Sequence, residues 1–113
     1  MLSVNDRINK IRDALIAIDT IPTIAHYWRA VETAPYCIWY EDAEDGALQS
    51  DGHKQEQAIT GSVDYFTKTE NDPNIDRIQD ALNTVSVCIW ELESVQYEEE
   101  TNLIHYTWNW TVA

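Results

Sequence analysis

The stretch LIHYTWNWTV, from Leu103 to Val112, alternates apolar or aromatic residues with polar ones from Ile104 onward. Since successive side chains of a strand point to opposite sides of a sheet, this alternation predicts a strand with one buried face and one solvated face. A second β-rich run, Val87 to Tyr97, precedes it across the acidic turn EEETN, so the two runs are predicted to form an antiparallel hairpin. The apolar phase of that second run shifts near Glu93 or Ser94, which indicates a β-bulge.

Two amphipathic helices are predicted from apolar residues spaced by three and four. The first follows Ser3, which with Asp6 resembles a capping box. The second follows Asp72, a favoured N-cap residue, and Pro73, which suits the first helical position. The apolar faces of the two helices comprise Val4, Ile8, Ile11, Leu15 and Ile18, and then Ile75, Ile78, Leu82 and Val85.

The acidic and amide residues of DPNID, Asp72 to Asp76, resemble the start of an EF-hand calcium loop. Such a loop needs Gly at its sixth position and a bidentate Glu at its twelfth, whereas this chain has Arg77 and Asn83 there. Helix initiation is therefore the better interpretation of DPNID.

Three further strands are predicted at Thr23–Arg29, Tyr36–Asp42 and Gln57–Lys68 because they are rich in aromatic and β-branched residues or alternate in polarity. The two Asp-Gly pairs between Asp42 and Lys54 predict a loop. The resulting order is α-β-β-β-α-β-β. We expect an α+β fold with an antiparallel sheet of about five strands and two helices packed on one face. The 113 residues fit a single domain, 1–113.

The charge of the chain is strongly negative, with 7 Lys plus Arg against 20 Asp plus Glu, a net −13. Through Val31 there are four basic and three acidic residues, a net +1, so the remainder carries −14. Such a charge argues against binding duplex DNA or an anionic membrane surface. The sequence contains no apolar run long enough for a membrane span, and we expect no membrane association.

Sequence signatures of catalysis and cofactor binding are missing. There is no nucleophile elbow, zinc-protease motif, Walker motif or dinucleotide fingerprint. Potential metal ligands such as His26, His53 and His105 lack C-x-x-C or H-x-x-x-H spacing. We therefore expect no catalytic residues, no metal site and no cofactor. The aromatic stripe Tyr106, Trp108 and Trp110 is interpreted as core or interface.

Three segments carry a resemblance to a protein family: PYCIWYEDAEDG (Pro35–Gly46), VDYFTKTENDPNIDRIQDAL (Val63–Leu82) and ESVQYEEETNLIHYTWNWTV (Glu93–Val112). Together with the N-terminal helix, they resemble the tail terminator, or tail-completion, proteins of long-tailed bacteriophages and prophages. The resemblance covers nearly the whole chain, but as a pattern of elements and not as a catalytic signature.

The resemblance implies a structural protein of the virion, assembled in the bacterial cytoplasm and located at the junction of tail and neck. It implies a homo-oligomeric ring, commonly a hexamer, that caps the tail tube, ends its polymerisation and joins the tail to the head. Its partners would be other copies of itself, the major tail tube protein and a head-completion or neck protein, and DNA would pass through without specific binding.

The interface candidates are acidic segments and the loop, because exposed loops on rigid scaffolds often carry recognition. We expect the loop to contact the tail tube or the neck, and carboxylates of either segment to face the lumen of the ring. These candidates are Asp42, Glu44, Asp45, Asp51, His53, Glu98, Glu99 and Glu100.

Two alternatives stay open on the sequence. One is a head-completion protein of the same neck, which only its bound neighbours would distinguish. The other is a small acidic inhibitor that mimics DNA and occupies the basic groove of a host defence nuclease. Such an inhibitor would be a monomer or a dimer, whereas a terminator forms a closed symmetric ring.

Overall fold

A computed structural model describes residues 2–28, 33–45, 49–50, 53–54 and 57–113 of the chain. It confirms the α+β class, with two helices and a five-stranded, mostly antiparallel sheet. The elements in chain order are α1 (Val4–Ile16), β1 (Ile24–His26), β2 (Tyr36–Asp45), β3 (Gln49–Ser50), β4 (His53–Lys54), β5 (Ala58–Thr67), α2 (Asn74–Thr84), β6 (Cys88–Glu98) and β7 (Leu103–Val112).

The main sheet has the strand order β1-β2-β5-β7-β6, so β1 and β6 are its two outer strands. All neighbours pair antiparallel except β1 and β2, which are parallel. The predicted antiparallel sheet of about five strands is thus confirmed, with the parallel β1–β2 pair as an exception. Parallel neighbours need a connection that returns the chain to the same end of the sheet. In the sequence, nine residues separate β1 from β2.

The predicted loop between Asp42 and Lys54 contains more regular structure than expected. β2 continues to Asp45, with a bulge between Glu41 and Ala43, and β3 pairs with β4 in a separate two-stranded ladder. The bulge expected near Glu93 is confirmed, since the register of β6 against β7 shifts between Leu92 and Ser94. An extra residue is thus accommodated in one strand of each pair.

The core lies between the two helices and one face of the sheet. The alternation in β7 is confirmed: Trp108 and Trp110 are almost completely buried, and Val112 is fully buried. Gly61 in β5 lies under Trp110, where a Cβ atom would come within 2.2 Å of that indole and of the Tyr40 carbonyl oxygen. Only glycine allows strand and indole to approach this closely.

The cap of α1 is as the sequence predicts, and that of α2 is displaced by one residue. Ser3 and Asp6 form the expected capping box, with Ser3 Oγ accepting from Asp6 N and Asp6 Oδ2 accepting from Ser3 N, both at 3.0 Å. α2 begins at Asn74, one residue later than expected, but Pro73 has helical dihedrals. Asp72 Oδ1 accepts from Asn74 N at 2.8 Å, so the carboxylate does satisfy a free N–H at the start of α2.

Asp72 also connects α2 to the end of β5. Its Oδ2 accepts hydrogen bonds from the hydroxyls of Tyr65 and Thr67, both at 2.7 Å. Burial alone would raise the pKa of Asp72, but the hydrogen bonds from Thr67, Asn74 N–H and Tyr65 outweigh it, so the pKa lies below its ordinary value. The DPNID stretch is therefore a buried corner at which strand and helix are joined.

Candidate interface surfaces

The acidic interface candidates lie at opposite ends of the sheet. Asp45 pairs with Ala58 at the start of β5, whereas Glu98 pairs with Leu103 beside the end of β5. The ten residues of β5 separate the two ends by about 30 Å at an ordinary strand rise. The candidates therefore form two patches and not one. Asp51 lies outside the described residues, as does the side chain of His53, whose backbone belongs to β4.

The first acidic patch, at the end of β2, is exposed but partly engaged within its own sheet. Asp42, the bulge residue, accepts from Thr60 Oγ1 at 2.8 Å, and Glu44 Oε2 accepts from Gln57 Nε2 at 2.8 Å. Asp45 is also exposed. These contacts fix the orientation of two carboxylates and leave the outer surface of the patch accessible to a partner.

The second acidic patch is the turn between β6 and β7. Glu99 and Glu100 are exposed, and Glu98 is half-buried. Glu98 Oε1 accepts from Thr101 Oγ1 at 3.3 Å, and its Oε2 lies 3.7 Å from His105 Nδ1. Three consecutive carboxylates with so little internal pairing give this end of the sheet a strongly negative surface.

The strand β6 exposes apolar side chains that the sequence reasoning did not select as a site. Ile89, Leu92, Val95 and Tyr97 are 73%, 43%, 50% and 59% exposed, and Val87, immediately before the strand, is 70% exposed. The partner of β6 is β7 on one side, and among the described residues no strand pairs with its other side. Helix α1 packs on α2 and β5, and α2 reaches β6 only in part. The far half of β6 is therefore uncovered.

A signal for this surface exists in the sequence. The face of β7 opposite the core carries mainly polar residues. On the same face of the neighbouring strand β6, the apolar residue Ile89 pairs with Thr111. Ile89 is therefore an apolar residue in the otherwise polar phase of this hairpin.

The opposite edge, at β1, exposes two aromatic residues. Tyr27 is 55% and Trp28 is 70% exposed. The His26 ring stacks on Trp39 at 4.0 Å and on Tyr27 at 4.3 Å, and Tyr27 donates its hydroxyl proton to Glu41 Oε1 at 2.5 Å. Tyr27 is thus held in place although it faces solvent.

Glu41 is the acceptor that anchors this edge. Its Oε2 lies 2.7 Å from His26 Nε2. Partial burial alone would raise the pKa of Glu41, but the hydrogen bonds from Tyr27 and His26 outweigh it, and the pKa lies below its ordinary value. The carboxylate therefore stays ionised and keeps the aromatic pair ordered at neutral pH.

The nearest approach to a catalytic arrangement among the described residues is on the sheet face away from the helices. His105 Nε2 lies 3.1 Å from Asp64 Oδ1 and 3.2 Å from Thr107 Oγ1. The hydroxyl of Thr107 donates its proton to Asp64 at 2.8 Å, and Glu98 is too distant from Nδ1 to orient the ring by a hydrogen bond. This geometry binds two strands together and does not activate the hydroxyl as a nucleophile.

In the described part of the chain, no group of three His, Cys, Asp or Glu residues could hold a metal ion, and no helix is long and apolar enough to cross a membrane. No protein-family model matches the chain, and no curated protein is significantly similar to it.

Proposed function

We propose that this protein is a structural subunit of a bacteriophage neck, a tail terminator that closes into a ring, commonly a hexamer, on the head-proximal end of the tail tube. The observation that carries the proposal is β6, an eleven-residue outer strand with exposed apolar side chains on both of its faces. Long unpaired edges favour association with another chain, and proteins that stay monomeric usually block them.

The charge supports the passage of DNA through such a ring without binding. A lumen lined by carboxylates repels phosphates and gives DNA no specific contact. The two acidic patches lie at opposite ends of the strands, so both can contribute carboxylates to the lumen while one borders the tail tube and the other a head-completion or neck protein. Asp51 and His53, which follow β2 in the sequence, are further candidates for these contacts.

The proposal is tested by the mass and shape of the purified full-length chain. Native mass spectrometry and negative-stain imaging, over a wide range of protein concentration, should show a closed ring with one subunit number and a central opening. Thr69→Arg, which adds a charge at an exposed turn away from both sheet edges, is the control and should leave the ring intact.

A protein that remains monomeric at every concentration would contradict the ring. If that monomer also bound tightly to a basic nuclease groove, the DNA-mimic alternative would be favoured instead. A ring found in the neck of the particle but separated from the tail tube would indicate the head-completion alternative.

A further inference from the structure

We infer that the aromatic edge, formed by Tyr27 and Trp28 directly after β1, binds a basic segment of another protein, with an arginine guanidinium stacked on the Trp28 indole. The inference rests on the proposed function only in that this partner would be a neighbour in the neck. The surface itself belongs to a single chain, so its binding can be measured whether or not the chain forms a ring.

Tyr27 is fixed in a backbone conformation that tyrosine rarely adopts. Its φ of 75° lies in the left-handed region, which disfavours residues with a Cβ atom. Its N–H donates to Trp39 O at 2.9 Å, its hydroxyl donates to Glu41 Oε1 at 2.5 Å, and its ring stacks on His26 at 4.3 Å. Such a conformation persists only where its surroundings determine it. Tyr27 is therefore ordered before a partner binds, and little of its side-chain entropy is left to lose.

Trp28 presents an open indole beside this ordered tyrosine. The residue is 70% exposed, and in the described part of the chain no aromatic ring and no side-chain hydrogen bond engages it. Its backbone N–H donates to His26 O at 3.0 Å, so the main chain is held while the indole faces solvent. Tryptophan is enriched among the residues that dominate binding energies, and its ring is the best aromatic acceptor for a cation.

The charge around the aromatic edge is negative. β1 and β2 run parallel with His26 beside Trp39, so the chain beyond His26 continues toward the end of β2 that carries the first acidic patch. The ring of Tyr27 accordingly lies 6.4 Å from that of Tyr40. Glu41 adds a carboxylate that stays ionised at neutral pH. Aromatic rings next to an ionised carboxylate favour a cationic partner, because both attract positive charge.

An arginine suits this surface better than a lysine. A planar guanidinium stacks on an indole and keeps its donors free for a carboxylate, whereas an ammonium is a compact, strongly hydrated point charge. The two oxygens of Glu41 accept one hydrogen bond each, from Tyr27 and His26, and each oxygen retains a second lone pair. Glu41 can therefore attract a guanidinium without giving up the contacts that order Tyr27.

A second copy of this chain is a poor source of that cation. Of the basic side chains that the structure describes, four are buried or bonded within their own copy: Arg7, Lys10, Arg12 and Arg77. The other, Lys68, is exposed but offers an ammonium and not a guanidinium. The partner is therefore a different protein, one that carries an exposed arginine in a basic segment.

The test is the binding of a labelled arginine peptide to the full-length protein. The probe is fluorescein-labelled Gly-Arg-Gly-Arg-Gly, and the comparison peptide has citrulline in place of each arginine, which keeps the shape and removes the charge. Fluorescence anisotropy at low ionic strength should show binding of the arginine peptide alone, and salt should weaken it by screening. Trp28→Ala should weaken the affinity about tenfold, as expected for a partly desolvated contact between a cation and an aromatic ring.

Each substitution has a matched control at the other side of the sheet. Tyr97→Ala removes an aromatic side chain that is 59% exposed on β6, and it should leave the affinity unchanged. Glu41→Gln should weaken binding about threefold, since the carboxamide oxygen still accepts from Tyr27 but the charge is lost. Glu100→Gln removes the same charge from the second acidic patch and should have no effect.

Three results would overturn the inference. The arginine peptide fails to bind, the citrulline peptide binds equally well, or Trp28→Ala and Glu41→Gln weaken binding no more than their controls, which would reduce the attraction to the overall charge of the chain. Arg29 follows Trp28 in the sequence. Binding seen only in an Arg29→Gln variant would show that the chain's own arginine fills the surface, and it would overturn the inference as well.

Native mass spectrometry separates this inference from the proposed function. Trp28→Ala should form the same ring as the wild type. A ring lost in that variant would make the aromatic edge a contact between copies and would refute the inference while the ring stands. A wild type that binds the arginine peptide through Trp28 but forms no ring would contradict the proposed function alone.

Discussion

Replacing Asp72 by alanine should remove the central acceptor of the corner between β5 and α2. The side chain accepts three hydrogen bonds, from Tyr65, Thr67 and Asn74 N, all between 2.7 and 2.8 Å. A buried donor left without an acceptor costs about 1–3 kcal/mol. The two hydroxyls can rotate toward other acceptors, so the losses are not fully additive, and we expect the free energy of unfolding to fall by about 3–4 kcal/mol.

The assay is urea denaturation followed by tryptophan fluorescence, because Trp108 and Trp110 are buried in the core. The midpoint should shift to lower urea while the slope stays constant, as expected when stability changes without a change in compactness. Asp76→Ala is the matched control: Asp76 is exposed in the first turn of α2, where a carboxylate contributes about 0.3–1 kcal/mol through the helix dipole.

The argument for a buried corner would be refuted if Asp72→Ala lost no more stability than Asp76→Ala. Asp72→Asn should fall between the wild type and the alanine variant, since the amide retains one acceptor oxygen but has lost the charge. An asparagine variant as stable as the wild type would show that the ionised form of Asp72 contributes nothing.

Two further predictions concern the charge of Asp72 and the packing of Gly61. The stability difference between the wild type and Asp72→Asn should be present at neutral pH and disappear as the pH falls through the pKa of Asp72 in the folded protein. Because that pKa lies below its ordinary value, the difference should be lost below about pH 4. A stability difference that persisted at lower pH would contradict a role for the ionised carboxylate. Gly61→Ala should lower the free energy of unfolding by about 2–3 kcal/mol, because the new methyl group would overlap the Trp110 indole and the Tyr40 carbonyl. In a Trp110→Phe background the same substitution should cost less but still destabilise the protein, because the overlap with the Tyr40 carbonyl remains. A thermal melt unchanged by Gly61→Ala would refute the close packing.

Much of the fold could be predicted from local patterns. The alternation from Ile104 to Val112 identified the face of β7 that is buried, and the phase shift near Glu93 identified the bulge. The capping box at Ser3 was likewise predictable, because it depends on residues three positions apart. In each case the physical cause acts over a few residues, so the sequence contains the full information.

The candidate surfaces were less accessible to sequence reasoning. The acidic interface candidates were selected by composition, which does not show how far apart they lie. Asp45 and Glu98 lie at opposite ends of the sheet because of the direction in which each strand runs. The exposure of Tyr27 and Trp28 was not anticipated either, since β1 reads as an ordinary short strand and its parallel pairing with β2 is a non-local choice.

The sequence by itself determined the two helices, the five strands of the main sheet and the side of β7 that faces the core, because the periods of two and 3.6 residues are properties of the local backbone. The tertiary structure alone decided the lateral order of the strands. Leu92, Val95 and Tyr97 are exposed although they pair in β7 with Trp108, which is buried, and with Tyr106 and Ile104, which are half-buried. They differ from these partners in lying on an outer strand that the two helices do not fully cover. The same pattern thus gives core in β7 and exposed surface in β6, because burial depends on which elements pack above a strand.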